Sequence, residues 1–206
     1  MKDDEYKFYY WGPYLYHTKV PNEIGTEMLR RGELLKNKKD TDYREMLAGD
    51  IRHEYVFSKE DRKYFTMNTM SLFNSYMVGL NDWSHVSKVL DTRVLKVFDL
   101  WINFMQPNEY NPPHTHDGDL SFVYFPKVPE ELKTEWHRYK GTGSGPGKLE
   151  FSYGEKQNMI VTGHEFLPET NDLFIFPSTL KHFVYPYKSN VERVSISGNI
   201  NFEDYK

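Results

Sequence analysis

The spacing of hydrophobic and polar positions changes near residue 90. Before that point, apolar residues recur every three or four positions, which is the pattern of an amphipathic α-helix. Ile24, Met28 and Leu35 predict a first helix over residues 21–37. A second helix is predicted over residues 59–80, and its apolar positions are Phe65, Leu72, Phe73, Tyr76 and Leu80. The N-terminal part of the chain is therefore predicted to be mainly helical.

Two local signals add detail to this helical part. Ser58 precedes Asp61 by three positions, a spacing typical of the capping box at a helix N-terminus. Residues 40–50, DTDYREMLAGD, indicate a short turn of helix that ends near Gly49.

After residue 90 the sequence consists of short stretches rich in branched and aromatic residues, each bounded by Gly, Pro, Asn or Asp. The stretches are residues 94–107, 119–129, 147–154, 158–163, 172–178, 182–187 and 191–203. Many short strands separated by turn residues are typical of a β-barrel or a β-sandwich. Because helices come first and strands follow, we predict an α+β fold with the helices packed on an antiparallel β structure.

The length of 206 residues suits one domain. We predict a single domain over residues 1–206, with a mainly helical N-terminal part at 1–93 and a β core at 94–206 that includes the C-terminal strand. Aromatic residues make up 17% of the chain. Because aromatic side chains bury a large area each, a substantial core can form in this otherwise polar sequence.

The composition excludes several kinds of site and partner. There is no cysteine, which rules out disulfides, thiolate zinc sites and cysteine nucleophiles. The formal net charge of −4 gives no indication of a nucleic-acid partner. The N-terminal residues contain no apolar signal-peptide core, and no stretch approaches the roughly 18 apolar residues of a membrane span. A cytoplasmic location without membrane association is therefore expected.

The stretch NPPHTHDGDL, residues 111–120, contains two histidines two positions apart. Residues before a proline favour an extended backbone, and in an extended segment His114 and His116 point to the same side. Two such imidazoles can bind one metal ion if a third ligand comes from elsewhere. The best candidate is His182, which follows an apolar strand and a Pro-Ser turn. A solvated loop that happens to be rich in His and Asp is the alternative.

The other histidines lack a spaced partner, and the one in the TGHEFLP stretch is expected on the surface. They are His17, His53, His85, His137 and His164.

The last predicted strand has two different faces. Its polar positions are Arg193, Ser195, Ser197 and Asn199, and its apolar positions are Val194, Ile196 and Ile200. A polar face that begins with arginine fits a strand that faces water, and it also fits a strand that lines a polar cavity. Inside a barrel, Arg193 would need a carboxylate, which a guanidinium binds through two parallel hydrogen bonds.

Residues 139–148, YKGTGSGPGK, resemble a phosphate-binding loop only in their glycine spacing. No predicted strand-to-helix transition surrounds them and Pro146 interrupts them, so a flexible hairpin connection or lid is predicted instead. The longer segment 130–147 is predicted to form a mobile edge of the site, where specificity would reside.

Two stretches, WINFMQPNEYNPPHTHDGDLSFVYF and DLFIFPSTLKHFVYPYKSNVERVSISGN, resemble the Fe(II)- and 2-oxoglutarate-dependent oxygenases. The resemblance covers residues 94–202 and is greatest to a subgroup common in tailed bacteriophages, whose N-terminal part the DYREMLAGDIRHEY stretch also resembles. It implies a double-stranded β-helix, which is a jelly-roll or cupin-like barrel, with the N-terminal helices packed against it. It also implies a dioxygenase that hydroxylates an unknown substrate, in the host cytoplasm if the protein is phage-encoded.

The same resemblance implies a set of site residues. In the family, a His-x-Asp or His-x-Glu pair and a distal His bind Fe(II), and a basic residue beyond the distal His binds the far carboxylate of 2-oxoglutarate. His114 takes the first metal position and His182 the distal one. Arg193 lies 11 positions beyond His182 (193 − 182 = 11) and would bind 2-oxoglutarate together with Ser195. The co-substrate pocket would be lined by Asn103 and Tyr124.

The sequence departs from the family at the second metal position, where His116 replaces the acid. Either His116 binds the metal, which gives a three-histidine site, or Asp117 or Asp119 reaches it from the loop. The departure leaves two other interpretations open: a three-histidine cupin-like metalloprotein without 2-oxoglutarate chemistry, and a non-enzymatic binding module. Arg193 and Ser195 separate these interpretations, because the pair has a purpose only if 2-oxoglutarate binds.

Overall fold

The computed structural model describes residues 12–84, 93–155 and 157–204. The α-helices are α1 (Asn22–Glu33), α2 (Lys59–Ser84) and α3 (Glu130–Arg138). The strands are β1 (Tyr16–Lys19), β2 (Glu54–Val56), β3 (Arg93–Met105), β4 (Asn111–His114), β5 (Leu120–Lys127), β6 (Leu149–Ser152), β7 (Gly163–Phe166), β8 (Asp172–Pro177), β9 (Lys181–Val184) and β10 (Arg193–Asp204). Short 3-10 helices between α1 and β2 lie at Leu34–Asn37, Lys39–Thr41 and Arg44–Met46.

The strands form two antiparallel sheets. The larger sheet has the order β1-β8-β5-β10-β3-β2, and the smaller sheet has the order β4-β9-β6-β7. From β3 to β10 the chain passes back and forth between the two sheets, which is the winding of a double-stranded β-helix. Helices α1 and α2 pack on one face of the larger sheet. The predicted α+β double-stranded β-helix with helices packed against it is therefore confirmed.

The core between the helices and the larger sheet is aromatic. Phe65 of α2 stacks on Phe122 of β5 with ring centroids 5.4 Å apart, and Phe73 contacts the same ring at 5.3 Å. All three rings are at most 1% exposed. Alternate residues of each strand point away from the helices, so the larger sheet has a second face that lines the interior of the barrel.

Both predicted long helices are present. The three apolar positions of the first helix, Ile24, Met28 and Leu35, are at most 6% exposed. At the start of α2, the Asp61 N–H donates to Ser58 Oγ at 3.1 Å, and the Ser58 hydroxyl donates to the Asp61 carboxylate at 2.7 Å, which confirms the capping signal. Among the described residues, no helix is both long enough and apolar enough to span a membrane.

Six of the seven predicted strands are present, and the one over residues 158–163 is wrong. Residues 158–162 connect β6 to β7, and the Tyr153 N–H donates to the Thr162 carbonyl at 2.8 Å across this connection. Met159 has a φ of 66° in the turn, and its side chain is fully exposed. The apolar run therefore faces solvent, and the strand begins only at Gly163.

Several short elements were not predicted, among them two edge strands and one helix. Strands β1 and β2 contain only four and three residues and lie at the two edges of the larger sheet. Helix α3 forms part of the predicted mobile segment 130–147. The Glu135 carboxylate accepts the N–H groups of Lys188 and Ser189 at 2.9 and 2.7 Å, which ties α3 to the loop before β10.

We expect Phe65→Ala to lower the free energy of unfolding by about 3–5 kcal/mol, because it removes a buried ring and leaves a cavity against Phe122. Met67→Ala on the same helix is the control: Met67 is 69% exposed, so its substitution should change stability by less than about 0.5 kcal/mol. Urea unfolding followed by circular dichroism measures both variants. Equal losses in the two variants would contradict the anchoring of α2 through Phe65.

Candidate metal centre

Strand pairing and one loop bring the three predicted histidines together. His114 ends β4 and His182 lies in β9, and the two residues are direct partners in the antiparallel pairing of these strands. His116 lies just beyond β4, where its backbone N–H donates to the Ser178 carbonyl at 2.9 Å. This bond holds the loop after β4 against the turn between β8 and β9.

The ring nitrogens of the three histidines lie close enough to share one ion. One nitrogen from each of His114, His116 and His182 lies within 4.8 Å of the other two. His116 Nε2 and His182 Nε2 are 3.2 Å apart. Two nitrogens bound at ~2.1 Å to one octahedral or tetrahedral ion are about 3.0–3.4 Å apart, so the donor set fits a divalent metal. Among the described residues, no other group of three or more metal-binding side chains is close enough to share an ion.

Backbone carbonyls set the orientation of two of these rings. His114 Nδ1 lies 2.7 Å from the Pro112 carbonyl oxygen, and His182 Nδ1 lies 3.0 Å from that of Leu180. Because a carbonyl can only accept, each Nδ1 carries the proton and each Nε2 keeps its lone pair. Hydrogen bonds of this kind commonly orient metal-binding imidazoles.

Burial keeps the three rings uncharged. Desolvation first, and then electrostatic repulsion by His114 when it is protonated, lower the pKa of His116 to about 4. Desolvation also lowers the pKa of His114, and the pKa of the buried His182 lies well below its ordinary value for the same reason. Neutral imidazole is the form that binds a metal, so the rings do not need to lose a proton near neutral pH.

The other candidate ligands do not join this cluster. Asp117 and Asp119 are exposed, and the Asp119 carboxylate accepts the N–H of Phe202 at 2.7 Å. The remaining described histidines, all exposed, are His17, His53, His137 and His164. The expected surface position of His164 is thus confirmed, whereas His85 lies outside the described residues. In the structure His116 occupies the place at which the family pattern has an acid.

The three imidazoles line a cavity of ≈ 160 Å³ that receives side chains from both sheets. Arg193, Ser195 and Ser197 of β10 line the same cavity. Asn199 continues this face and accepts a hydrogen bond from the Ser121 hydroxyl at 2.9 Å. The apolar positions on the other face of β10, all completely buried under the helices, are Val194, Ile196 and Ile200. Of the two arrangements that the sequence allowed for the polar face, the structure has the one in which the strand lines a cavity.

Arg193 is buried in the cavity wall without an acidic partner among the described residues. Arg193 is 2% exposed, and its Nη1 donates to the Gly147 carbonyl at 2.9 Å. Its Nη2 lies 2.8 Å from Met105 Sδ, which is a weak acceptor, and its Nε has no partner. Desolvation lowers the pKa of Arg193 to about 10, so the guanidinium stays charged at neutral pH.

Asn103 lines the cavity as predicted, whereas the prediction for Tyr124 is wrong. Asn103 Nδ2 donates to Ser195 Oγ at 3.4 Å on the inner face of the larger sheet. Tyr124 is completely buried on the helix side, and its hydroxyl donates to Asn171 Oδ1 at 3.0 Å. Successive side chains of a strand point to opposite faces, so Phe125 of β5 faces the cavity and its neighbour cannot.

Glu54 is a cavity residue that the sequence did not reveal. It lies in β2 directly opposite Asn103 of β3, so both side chains share the inner face. Glu54 is 1% exposed, and neither of its carboxylate oxygens has a hydrogen-bond partner in the part of the chain that the structure describes. Desolvation first, and then the charge of Glu109, raise the pKa of Glu54 to about 8.

The fold is similar to those of solved prolyl hydroxylases. A Pseudomonas putida prolyl-4-hydroxylase matches with a TM-score of 0.54 at 13% identity, covering 91% of each chain. A Trichoplax adhaerens prolyl hydroxylase, solved with a hypoxia inducible factor peptide fragment, matches with a TM-score of 0.56 at 13% identity, covering 92% of this chain and 83% of that chain. The viral collagen prolyl hydroxylase of Paramecium Bursaria Chlorella virus-1, solved with 2-oxoglutarate, matches with a TM-score of 0.55 at 11% identity, covering 92% and 96%. At these identities the similarity establishes the fold alone.

One family model matches part of the sequence. Comparison with curated proteins gave no match. The family model described as "Putative 2OG-Fe(II) oxygenase" matches residues 99–199. This region contains the three clustered histidines together with Arg193 and Ser195. Over residues 99–199, the chain is therefore similar to the oxygenases that use Fe(II) as their metal and 2-oxoglutarate as their co-substrate, as the sequence resemblance implied.

Proposed function

We propose that the cavity is the active site of an Fe(II)- and 2-oxoglutarate-dependent hydroxylase. His114, His116 and His182 hold the metal, and Arg193 with Ser195 holds the far carboxylate of 2-oxoglutarate. The observation that carries this proposal is a buried arginine without an acidic partner in the same cavity as three neutral imidazoles.

The energetics of Arg193 support a carboxylate ligand. Removing a charge from water costs several kcal/mol, so a buried guanidinium needs a counter-charge. Its Nε has no partner and its Nη2 has only the weak sulfur acceptor, so donors are available for two carboxylate oxygens. Ser195, two positions along the same face, adds a hydroxyl donor. The far carboxylate of 2-oxoglutarate matches this set of donors.

The chemistry of the donor set is compatible with Fe(II), because imidazole is a good ligand for this ion. Bound there, Fe(II) would supply the activation of dioxygen. The reaction balances when a substrate C–H bond, dioxygen and 2-oxoglutarate give the hydroxylated substrate, succinate and carbon dioxide. The chain itself holds the co-substrate at its far end and excludes water with an apolar wall, which consists of Val123, Phe125, Leu149, Phe176 and Val184.

A second candidate function is supported by His116. With an imidazole in place of a carboxylate, the metal site is one charge unit more positive, which fits equally a cupin-like metalloprotein that does not use 2-oxoglutarate. In that function the unpaired guanidinium of Arg193 has no ligand. Binding of 2-oxoglutarate at Arg193 therefore separates the two functions.

Three further statements about the protein stay predictions. They are the relation to the bacteriophage subgroup, the location in the host cytoplasm, and the single domain over residues 1–206. The similarity to the viral hydroxylase, at 11% identity, is compatible with the relation to the bacteriophage subgroup but does not establish it.

We expect His182→Ala to abolish stoichiometric Fe(II) binding, because it removes the most buried of the three imidazoles. Anaerobic equilibrium dialysis with Fe(II) measures the loss. His164→Ala is the matched control, since it also removes an imidazole but from an exposed position, and it should bind iron like the parent. Retention of one iron per chain in His182→Ala would refute the assignment of the metal site.

We expect Arg193→Ala to keep Fe(II) and to bind 2-oxoglutarate roughly 30-fold to several-thousand-fold more weakly. The loss of a charge-assisted contact in a desolvated pocket typically costs about 2–5 kcal/mol, and about 1.4 kcal/mol corresponds to one decade in affinity. Arg193→Lys should recover only part of the affinity, because an ammonium cannot form the bidentate contact. Calorimetric titration with 2-oxoglutarate and an assay for succinate provide the measurements. Unchanged affinity in Arg193→Ala would favour the cupin-like function.

A further inference from the structure

The cavity contains more hydrogen-bond acceptors than the co-substrate can use. The buried polar atoms without a partner in its wall are both carboxylate oxygens of Glu54, Oδ1 of Asn103, Oδ1 of Asn111 and Nε of Arg193. At neutral pH 2-oxoglutarate carries only acceptors, so it matches Arg193 and none of the others. Because a buried polar group without a partner costs about 1–3 kcal/mol, the remaining atoms call for a second ligand that carries donors.

Two of these acceptors, Glu54 and Asn103, lie in a row across the inner face of the larger sheet. Glu54 of β2 is the direct partner of Asn103 of β3, and Asn103 is the direct partner of Ser195 of β10. The Asn103 amide group donates to Ser195 at 3.4 Å, which leaves the amide oxygen unpaired. The row therefore has a donor end at β10, where Arg193 lies, and an acceptor end at Glu54.

The surroundings of Glu54 favour a positive charge. The carboxylates of Glu109 and Asp42 both act on it with like charge. Arg44 acts with opposite charge, but it forms an ion pair with Asp42 at 2.6 Å and does not bond to Glu54. The backbone at Gly49 covers the carboxyl group closely, since a Cβ atom there would lie 3.1 Å from Glu54 Oε1. A charge brought by a ligand would therefore meet an acidic, desolvated site.

We propose that Glu54 binds an amino or guanidinium group of the primary substrate, so that the substrate is a basic aliphatic compound or side chain. The proposal rests on the proposed function, because it assumes that 2-oxoglutarate occupies the Arg193 end of the cavity. The amide oxygens of Asn103 and Asn111 accept further N–H groups of the same cation. The aliphatic stem lies along the apolar wall, where its C–H bonds are exposed to the metal centre.

A cation fits this position better than a neutral donor does. A neutral amide or hydroxyl group would leave the burial of Glu54 without electrostatic compensation, so the carboxyl group would stay protonated at neutral pH, whereas a cation can pair with the ionised carboxylate. Burial raises the pKa of Glu54 to about 8, and a bound cation would reverse that change by favouring the ionised carboxylate. The apolar wall in turn suits the methylene groups of a long basic side chain.

Anaerobic calorimetric titration of the Fe(II)-loaded protein, with and without 2-oxoglutarate, tests the proposal. The cationic probes are L-lysine and L-arginine, and the uncharged counterparts are L-norleucine and L-citrulline. The Nα-acetylated amides of lysine and arginine distinguish a side chain within a polypeptide from a free amino acid. We expect the parent to bind at least one cationic probe, free or capped, about 10-fold or more tightly than the corresponding uncharged probe.

Glu54→Gln should lower the affinity for that cationic probe by roughly 30-fold or more, because it removes one partner of a buried charge pair. The affinity for 2-oxoglutarate should stay the same. Glu54→Asp, which retains the charge, should recover part of the binding. Glu45→Gln is the matched control: it removes the same charge from an exposed position that does not line the cavity, and should bind like the parent. The melting temperature of Glu54→Gln should not fall, because among the described residues the carboxylate has no hydrogen-bond partner to lose.

Several results would overturn the proposal. These are a parent that binds no cationic probe, a parent that binds charged and uncharged probes equally, and a Glu54→Gln variant that binds the cation like the parent. Weaker binding of 2-oxoglutarate in Glu54→Gln would assign this residue to the co-substrate instead. A parent that fails to bind 2-oxoglutarate at all would refute the proposed function, while the titrations without 2-oxoglutarate would still decide whether Glu54 binds a cation.

Discussion

The register of β10 determines both the core and the cavity. This strand lies in the middle of the larger sheet, between β3 and β5, and its alternate residues belong to two different environments. Ile196 packs under the helices, whereas Arg193 and Ser195 line the cavity. A shift by one residue would place the guanidinium among the phenylalanines of the helix side and an isoleucine in the cavity. Hydrophobic burial on one face therefore holds the polar groups of the other face in position.

The cavity keeps an acidic and a basic side chain apart. Glu54 and Arg193 are at most 2% exposed, yet among the described residues neither forms an ion pair. They lie on β2 and β10 with β3 between them, so each remains available to a ligand. Buried polar groups without hydrogen-bond partners are expected at functional sites, because binding a ligand requires groups that the fold itself does not pair. The apolar core under the helices supplies the stability that such a cavity does not.

Long patterns were predictable from the sequence, and short or symmetrical ones were not. Two helices and six strands followed from stretches of consistent hydrophobic pattern, His114 and His116 from the H-x-H spacing, and His182 from its position after an apolar strand. The alternation of polar and apolar residues in β10 showed that Arg193 lies on the polar face of the strand. It did not show whether this face lines the barrel interior or faces solvent, because only the pairing of β10 with β3 and β5 decides this. Glu54 was not detectable, since β2 has three residues and its partner Asn103 lies 49 positions away (103 − 54 = 49). The apolar run around Met159 resembled a strand, but Met159 has a positive φ and lies in a turn.

The pairing of His114 with His182 also bears on how the smaller sheet resists unfolding. Strand β4 is at the edge of that sheet, and its register with β9 is irregular between Asn111 and His114. An ion held by His114, His116 and His182 would cross-link the two strands and close a loop across the 66 positions from 116 to 182. Closing a long loop restricts the unfolded chain, and an ion that binds only the folded state adds its binding free energy to stability. The metal ion would thus provide this cysteine-free chain with a cross-link of the kind that disulfides provide in other small proteins.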